Sequence, residues 1–367
     1  MKRQDARTRF AGSAWRCAMT AIAAAVLLTA VSTGAACAKR VHAPHLHPVT
    51  VVAPARLSLP TPAGMVQAPL YLSADWNVPQ PGIERAVVVI HGKLRNADVY
   101  YRTAEHARAA AGAAPATTLL IAPQFLAAID AEALSLPADV LRWKGNAWMG
   151  GEPSADNAAL SSYAVLDAIA RRLADRRLFP HLKHVVFAGH SGGAQVVQRY
   201  AVAARGVQVL AQAGIAVSYV LANPSSYAYF DDRRPTANGG FAPFDVAACP
   251  GFDNWKYGMR ARPPYLDDRS PARLEAGYAK RRVTYLLGGR DIDPRQAALD
   301  RSCPAEAQGG NRLARGQAYF HYLQARHPQG LNQQFYVVPG VGHDGARMLT
   351  APCALAVMFG VKTCAKP

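Results

Sequence analysis

Short apolar runs recur along the chain from residue 86 onward, and segments of helix length separate them. The runs lie at residues 86–90, 118–122, 184–188, 215–222, 283–287 and 335–338. Helix-compatible segments lie near residues 98–112, 157–175, 193–205, 311–326 and 344–359. Strands without polar positions are buried on both faces, and their alternation with helices is typical of a parallel sheet. The pattern therefore predicts an α/β fold with a doubly wound, mostly parallel central sheet and helices on both faces.

Two long segments interrupt this alternation. Residues 127–156 include a glycine-bearing loop around Trp148, and residues 224–281 carry many aromatic side chains, including Trp255, among prolines and glycines. Long loops of this kind often shape a binding pocket. Trp148 and Trp255 are therefore candidates for lining a substrate pocket. The alternative is that these aromatic side chains fill a small core of their own.

The first 38 residues differ in composition from the rest of the chain. Basic residues precede an apolar stretch from Ala18 to Val31 that is too short to span a bilayer, and small residues then lead to Ala36-Cys37-Ala38. This order predicts a signal peptide over residues 1–38, an exported protein (periplasmic or extracellular) and no transmembrane span in the mature chain. An N-terminal membrane anchor is the alternative. A lipid anchor at Cys37 is disfavoured, because Gly34 stands where a lipoprotein motif usually has a branched side chain or Leu.

Residues 39–82 form a proline-rich segment ahead of the main domain, which we place at residues 83–367. Frequent prolines predict a flexible mature N-terminus, and the intervening apolar positions predict one or two edge strands. These strands are expected around Val49–Val52 and Gln67–Leu72.

The chain is strongly basic, with a formal net charge of +17. Loss of residues 1–38, which hold five basic residues and one acidic residue, would leave about +13. The basic residues are scattered and form no patch interleaved with aromatic residues, so no nucleic acid is expected as a partner. Attraction to anionic polymers or to the cell envelope is one interpretation of the charge, and a solvated basic surface is the other.

Cysteine usage agrees with export. Removal of the signal peptide would leave Cys249, Cys303, Cys353 and Cys364, an even number in an oxidising compartment. Of the three pairings, we favour Cys249–Cys303 and Cys353–Cys364 because each pair is local to one region. The first bridge would stabilise the fold by roughly 4 kcal/mol on the chain-entropy estimate. No cysteine pair has zinc-finger spacing, so we expect no metal.

The motif with the clearest chemistry is Gly189-His190-Ser191-Gly192-Gly193. It follows the apolar run at residues 184–188 and precedes a helix-compatible segment. A G-x-S-x-G pentapeptide between a strand and a helix places its serine on a tight turn with the hydroxyl exposed. Three further motifs follow other predicted strands. They are His91-Gly92-Lys93, Gly288-Gly289-Arg290-Asp291 and Gly342-His343.

Together these motifs resemble the α/β-hydrolase superfamily, in its secreted serine esterase or lipase-like branch, over residues of about 84 to 350. The resemblance implies Ser191 as nucleophile, His343 as base and Asp291 as the acid that orients the histidine, with Asp293 as the alternative acid. It also implies an oxyanion hole formed by the backbone N–H groups of Gly192 and Lys93. A cap or lid insertion is expected at about residues 224–281.

The resemblance implies an exported serine hydrolase that acts on a small-molecule or polymeric ester through an acyl-serine intermediate, with no cofactor. A secreted peptidase or acyltransferase with the same triad remains an alternative, as does a non-catalytic binding protein on a hydrolase scaffold. His190 is a further candidate for the substrate pocket. The side chains of Lys93 and Arg95 either place positive charge near that pocket, favouring acidic or polyhydroxylated acyl groups, or point to solvent.

Overall fold

The fold is built around a central sheet of eight strands. The computed structural model describes residues 46–156, 158–361 and 364, so the predicted signal peptide and Cys37 lie outside the described residues. The strands are β1 (Ala55–Thr61), β2 (Gly64–Leu72), β3 (Arg85–Ile90), β4 (Thr118–Pro123), β5 (His184–His190), β6 (Ala216–Ala222), β7 (Arg282–Gly288) and β8 (Gln333–Val338). Their order across the sheet is β1-β2-β4-β3-β5-β6-β7-β8. β2 pairs antiparallel with both of its neighbours, and every pairing from β4 to β8 is parallel.

Helices cover both faces of this sheet. They are α1 (Ala97–Ala110), α2 (Ala128–Ala133), α3 (Ser162–Leu173), α4 (Gly192–Ala203), α5 (Val207–Gln212), α6 (Pro271–Ala279), α7 (Cys303–Glu306), α8 (Arg312–Arg326), α9 (Gly345–Leu349) and α10 (Pro352–Phe359). Helices α3, α4, α6 and α8 contribute to the core on one face, and α1, α9 and α10 contribute to the core on the other. The doubly wound, mostly parallel sheet predicted from the apolar runs is confirmed.

The side chains of β3 show why the apolar runs are continuous. Val88 and Ile90 belong to the core under α3 and α4, whereas Val87 and Val89 belong to the core under α1 and α9. Successive side chains of a strand point to opposite faces, so a strand covered on both sides needs an apolar residue at every position.

The segment ahead of β1 differs from the prediction. Residues 49–52 pair with no strand in the described part of the chain, and the first strand begins at Ala55. Instead, the Val49 N–H donates to Asp130 Oδ1 (2.9 Å) and the Ala53 N–H donates to Gln124 Oε1 (2.8 Å). The prediction of a strand at Val49–Val52 is therefore wrong. Flanking prolines lack the N–H that a sheet ladder requires, and buried side chains satisfy this backbone in place of a neighbouring strand.

Residues 224–281 lie between β6 and β7 as an insertion of irregular structure. The insertion contains α6, a 3-10 turn at Pro264–Leu266 and the short strand pair Arg233–Pro235 and Phe241–Pro243. A disulfide between Cys249 and Cys303 ties it to the segment after β7, and a second joins Cys353 to Cys364. Both are the pairings favoured from the sequence. No helix among the described residues is long and apolar enough to cross a bilayer.

Candidate active site

Ser191 occupies the sharp turn between β5 and α4. Its backbone lies in a sparsely populated region, with φ 57° and ψ −119°. The glycines on either side permit this turn because other backbone atoms pass where a side chain would stand. A Cβ on Gly189 would lie 2.4 Å from the carbonyl carbon of Gly193, and a Cβ on Gly193 would lie 2.1 Å from the Ile90 carbonyl oxygen. The turn therefore holds the serine in a strained conformation at the carboxyl edge of the sheet.

We expect Gly193→Ala to lower the free energy of unfolding by about 3 kcal/mol or more, because its methyl group would collide with the β3 backbone. Denaturant unfolding with the disulfides intact measures this change. The matched control is Gly277→Ala, at an exposed position of α6 with no atom within 4 Å of the added Cβ. It should stabilise by up to about 1 kcal/mol, since alanine favours a helix over glycine. Equal stability of the two variants would contradict this account of the turn.

Three side chains from separate loops meet at this edge. His343 follows β8, and its Nε2 lies 2.9 Å from Ser191 Oγ. Its Nδ1 lies 2.8 Å from Oδ2 of Asp291, which follows β7. Asp293 is exposed and accepts a hydrogen bond from the Arg295 backbone, so it lies outside this chain of contacts. The geometry thus brings together Ser191, His343 and Asp291, and of the two candidate acids it places Asp291 on the histidine.

Burial and neighbouring charges set the ionisation of this group. Burial lowers the pKa of His343, and Arg312 lowers it further, while the hydrogen bond to Asp291 opposes both. Burial alone would raise the pKa of Asp291, but its hydrogen bond to His343 and the charges of His343 and Arg312 together bring it below its ordinary value. At neutral pH a neutral imidazole therefore lies between a serine hydroxyl and a carboxylate.

Two polar residues that the sequence analysis did not single out support this arrangement. Arg312, the first residue of α8, donates from Nη1 to Asp291 Oδ1 (3.1 Å) and from Nε to Ser225 Oγ (2.8 Å). Asn223, directly after β6, accepts from the Gly288 N–H (2.7 Å) and donates to the Gly342 carbonyl (3.0 Å). Arg312 therefore fixes the carboxylate, and Asn223 links the two loops that carry the acid and the histidine.

Two backbone N–H groups flank the serine. A Cβ on Gly192 would lie 2.9 Å from the Lys93 nitrogen, which shows how closely the loop after β3 approaches the start of α4. Neither the Lys93 N–H nor the Gly192 N–H donates a hydrogen bond within the described part of the chain. The buried His91 holds this loop, because its Nε2 accepts from the Phe125 N–H (2.9 Å). Two unused donors beside a nucleophile can bind a developing negative charge.

A cleft of about 290 Å³ opens beside Ser191. Lys93 and Gly192 line it on one side, and Asn146 and Met149 on another. The remaining wall comes from α4, the insertion and the segment after β7, through Gln195, Ser225, Lys256, Tyr257 and residues 298–301. Its volume lies near the lower end of the range for small-molecule sites.

The three substrate-pocket candidates from the sequence do not line this cleft. Trp148 is fully buried and stacks on Phe125, and the Trp255 indole donates to the Gly150 carbonyl (2.6 Å), so both tryptophans pack beneath the wall. His190 is buried against His343, with 4.6 Å between ring centroids, and contacts the Tyr100 hydroxyl at 3.1 Å. The assignments of Trp148 and Trp255 are wrong because these large side chains are buried beneath the wall, while the neighbouring Met149 and Lys256 line the cleft. The assignment of His190 is wrong because its ring is buried behind His343.

The two basic side chains after β3 differ in position. Lys93 lines the cleft. Arg95 is buried and pairs with Asp130, with 2.6 Å between Nε and Oδ2, so its charge is neutralised away from the cleft. Arg95 thus neither faces the pocket nor points to solvent.

No protein-family model matches the chain, and no curated protein sequence is similar to it. Among solved structures, the poly(3-hydroxybutyrate) depolymerase LpqC from Bordetella parapertussis has a TM-score of 0.55 at 21% identity, over 85% of this chain and 92% of that one. The poly(aspartic acid) hydrolase-1 from Sphingomonas sp. KT-1 has a TM-score of 0.55 at 18% identity, over 84% of this chain and 100% of that one. These likenesses confirm the α/β-hydrolase fold.

Proposed function

We propose that the chain is an exported serine hydrolase that cleaves carboxylic esters through an acyl-serine intermediate. The observation that carries the proposal is the His343 imidazole, which lies within hydrogen-bonding distance of both Ser191 Oγ and Asp291 Oδ2. A serine hydroxyl is a weak nucleophile unless an oriented base takes its proton during attack. This arrangement supplies the base and its orienting acid.

The reaction would proceed in two halves. Ser191 Oγ attacks the ester carbonyl carbon while His343 Nε2 takes its proton, and Asp291 stabilises the imidazolium that results. The Gly192 and Lys93 N–H groups hold the negative oxygen of the tetrahedral intermediate. The intermediate collapses to the acyl-serine, and the alcohol leaves with the proton from His343. Water, deprotonated by the same imidazole, then attacks the acyl-serine, and the acid is released as Ser191 recovers its proton.

Reaction with a fluorophosphonate probe tests whether the site is catalytic. A competent hydrolase should form a covalent adduct at Ser191 that mass spectrometry locates, and a non-catalytic binding protein on the same scaffold should form none. Ester hydrolysis is then separated from the alternatives by product analysis. A panel of p-nitrophenyl esters and aminoacyl anilides distinguishes esterase from peptidase activity, and an added alcohol acceptor reveals acyl transfer.

Activity should be retained to a lower pH than an unperturbed histidine would allow. The neutral form of His343 is the active base, and burial lowers its pKa below the ordinary 6.5, so kcat/KM for a neutral ester should fall only below that pH. A profile of kcat/KM from pH 4 to 8 measures the midpoint. In Asp344→Asn, which removes a nearby negative charge that raises this pKa, the midpoint should move slightly lower still. A midpoint above 6.5 would contradict the assigned base.

The two disulfides support the export part of the proposal, since such bonds persist in oxidising compartments. Sequencing of the mature N-terminus from the extracytoplasmic fraction tests it. A chain that begins near Lys39 would agree with cleavage after residue 38. Retention of residues 1–38 in the cytoplasmic fraction would refute it.

A further inference from the structure

The cleft beside Ser191 has an excess of positive charge. Lys93, Lys256 and Arg301 line it, and Asp300 is the one acidic residue among the described residues of the lining. The carboxylate of Asp300 already accepts from the Tyr257 hydroxyl (2.7 Å) and from the Ser302 hydroxyl (2.7 Å). The lining therefore has cationic groups that its own carboxylate does not pair.

Lys256 belongs to a part of the insertion that several hydrogen bonds hold in place. Its carbonyl accepts from Arg199 Nε of α4 (2.9 Å), and the preceding Trp255 is anchored through its indole to Gly150. The following Tyr257 is bound to Asp300 through its hydroxyl. Residues on both sides of Lys256 are thus fixed by side-chain contacts, so the lysine enters the cleft from a constrained backbone.

The Lys256 ammonium lacks an anionic partner. Within the described residues it forms neither an ion pair nor a hydrogen bond. Burial, together with the charges of Arg199 and Lys93, lowers its pKa to about 8, although the charge of Asp300 acts in the opposite direction. The ammonium lies 5.6 Å from the centre of the Tyr257 ring, a cation–π contact that leaves its charge without a counter-ion. A partly buried cation without an anionic partner is unfavourable, and an anionic group of a ligand would relieve that penalty.

We infer that the cleft binds substrates that carry a carboxylate, held by Lys256 with Lys93 beside it, while the scissile carbonyl lies at Ser191. The inference rests on the proposed ester hydrolysis and names its substrate class as anionic esters. Lys93 connects the loop after β3 to this subsite, because its backbone nitrogen lies close to Gly192 and the residue lines the same cleft. A substrate that spans both points would be oriented by its charge before attack.

The turnover experiment compares two esters of the same shape. The anionic ester is 4-nitrophenyl hydrogen glutarate, and the neutral ester is its carboxamide isostere, 4-nitrophenyl glutaramate, each corrected for spontaneous hydrolysis. We expect the wild-type kcat/KM to favour the anionic ester by about tenfold or more, and Lys256→Gln to remove most of that preference. The matched control, Lys144→Gln, deletes the same charge from an exposed position outside the cleft lining and should keep the preference.

The preference should also depend on pH in a defined direction. Lys256 is charged below about pH 8, so the ratio of the two kcat/KM values should fall between pH 7 and pH 9. The ratio cancels the titration of His343, which acts on both esters alike. The other charged or titratable groups near Lys256 are Arg199, Lys93, Asp300 and Tyr257, and burial raises the pKa of Tyr257 to about 12, above this range. A ratio that stays constant to pH 10 would contradict a role for Lys256.

A binding measurement makes the inference independent of turnover. With the Ser191→Ala variant, calorimetry should detect binding of glutarate but no binding of the uncharged glutaramide. Addition of Lys256→Gln should weaken the binding of glutarate by about tenfold. If binding is charge-selective but the wild-type protein shows neither ester turnover nor labelling at Ser191, the proposed reaction is refuted and the anionic subsite still stands. Ester turnover with no charge preference, or a preference that Lys256→Gln leaves intact, would overturn the inference and keep the proposed reaction.

Discussion

Ser191→Ala is expected to lower kcat for ester hydrolysis by about 10⁵-fold and to abolish fluorophosphonate labelling. Removal of the nucleophile eliminates the acyl-serine route and leaves only the weak acceleration from the oxyanion donors and binding. Alanine can replace serine at this turn without a new clash, so the free energy of unfolding should change by no more than ~0.5 kcal/mol. Kinetics on a p-nitrophenyl ester and denaturant unfolding check both statements.

The control for this variant is Ser58→Ala, an exposed serine on the edge strand β1. It should retain wild-type turnover and labelling. If Ser191→Ala kept more than a few per cent of the activity, the nucleophile would have to be another group, and the role assigned to the His343 contact would be wrong.

Asp291→Asn should lower kcat by about 10⁴-fold, whereas Asp293→Asn should leave it within about twofold. An asparagine amide can donate to Nδ1 of His343 and would hold the imidazole in the tautomer that cannot accept the serine proton. Asp293 makes no contact with the histidine among the described residues, so its charge should not affect turnover. Steady-state kinetics of the two variants gives the comparison.

The stability of Asp291→Asn should be measured alongside its activity. The variant leaves Arg312 without its anionic partner in a buried position, and breaking such a pair is destabilising by about 3–5 kcal/mol in general. Activities should therefore be normalised to the folded fraction obtained from circular dichroism. A loss of activity in Asp293→Asn that exceeds the loss in Asp291→Asn would reverse the assignment of the acid.

The parts of the site that could be predicted from the sequence are those that follow buried strands. Ser191, Asp291 and His343 each come shortly after an apolar run, and the carboxyl ends of parallel strands lie along one edge of a sheet. Residue order and strand ends were therefore enough to bring together three side chains that lie 100 and 52 positions apart along the chain.

Residues that depend on loop conformation could not be predicted in this way. Arg312 contacts Asp291 from the start of α8, and Asn223 bridges two loops, but no local pattern marks either as part of a site. At the cleft wall, the aromatic residues of the insertion indicated Trp255, which is next to the residue that lines the cleft. Trp255 is buried because its large apolar ring gains most from packing, and the adjacent Lys256 faces the cleft. The backbone conformation that decides between such neighbours is not encoded in a periodic pattern.

The disulfide between Cys249 and Cys303 has a consequence for how molecules reach Ser191. It joins the insertion that carries Lys256 to the segment directly after Asp300 and Arg301, and the Tyr257–Asp300 hydrogen bond reinforces the same junction. The bridge and this hydrogen bond limit how far these two sides of the cleft can move apart to admit a bulky molecule. Entry to Ser191 would then depend on the width that this junction allows, so a long polymer would reach the serine most readily through a chain end or a narrow side group.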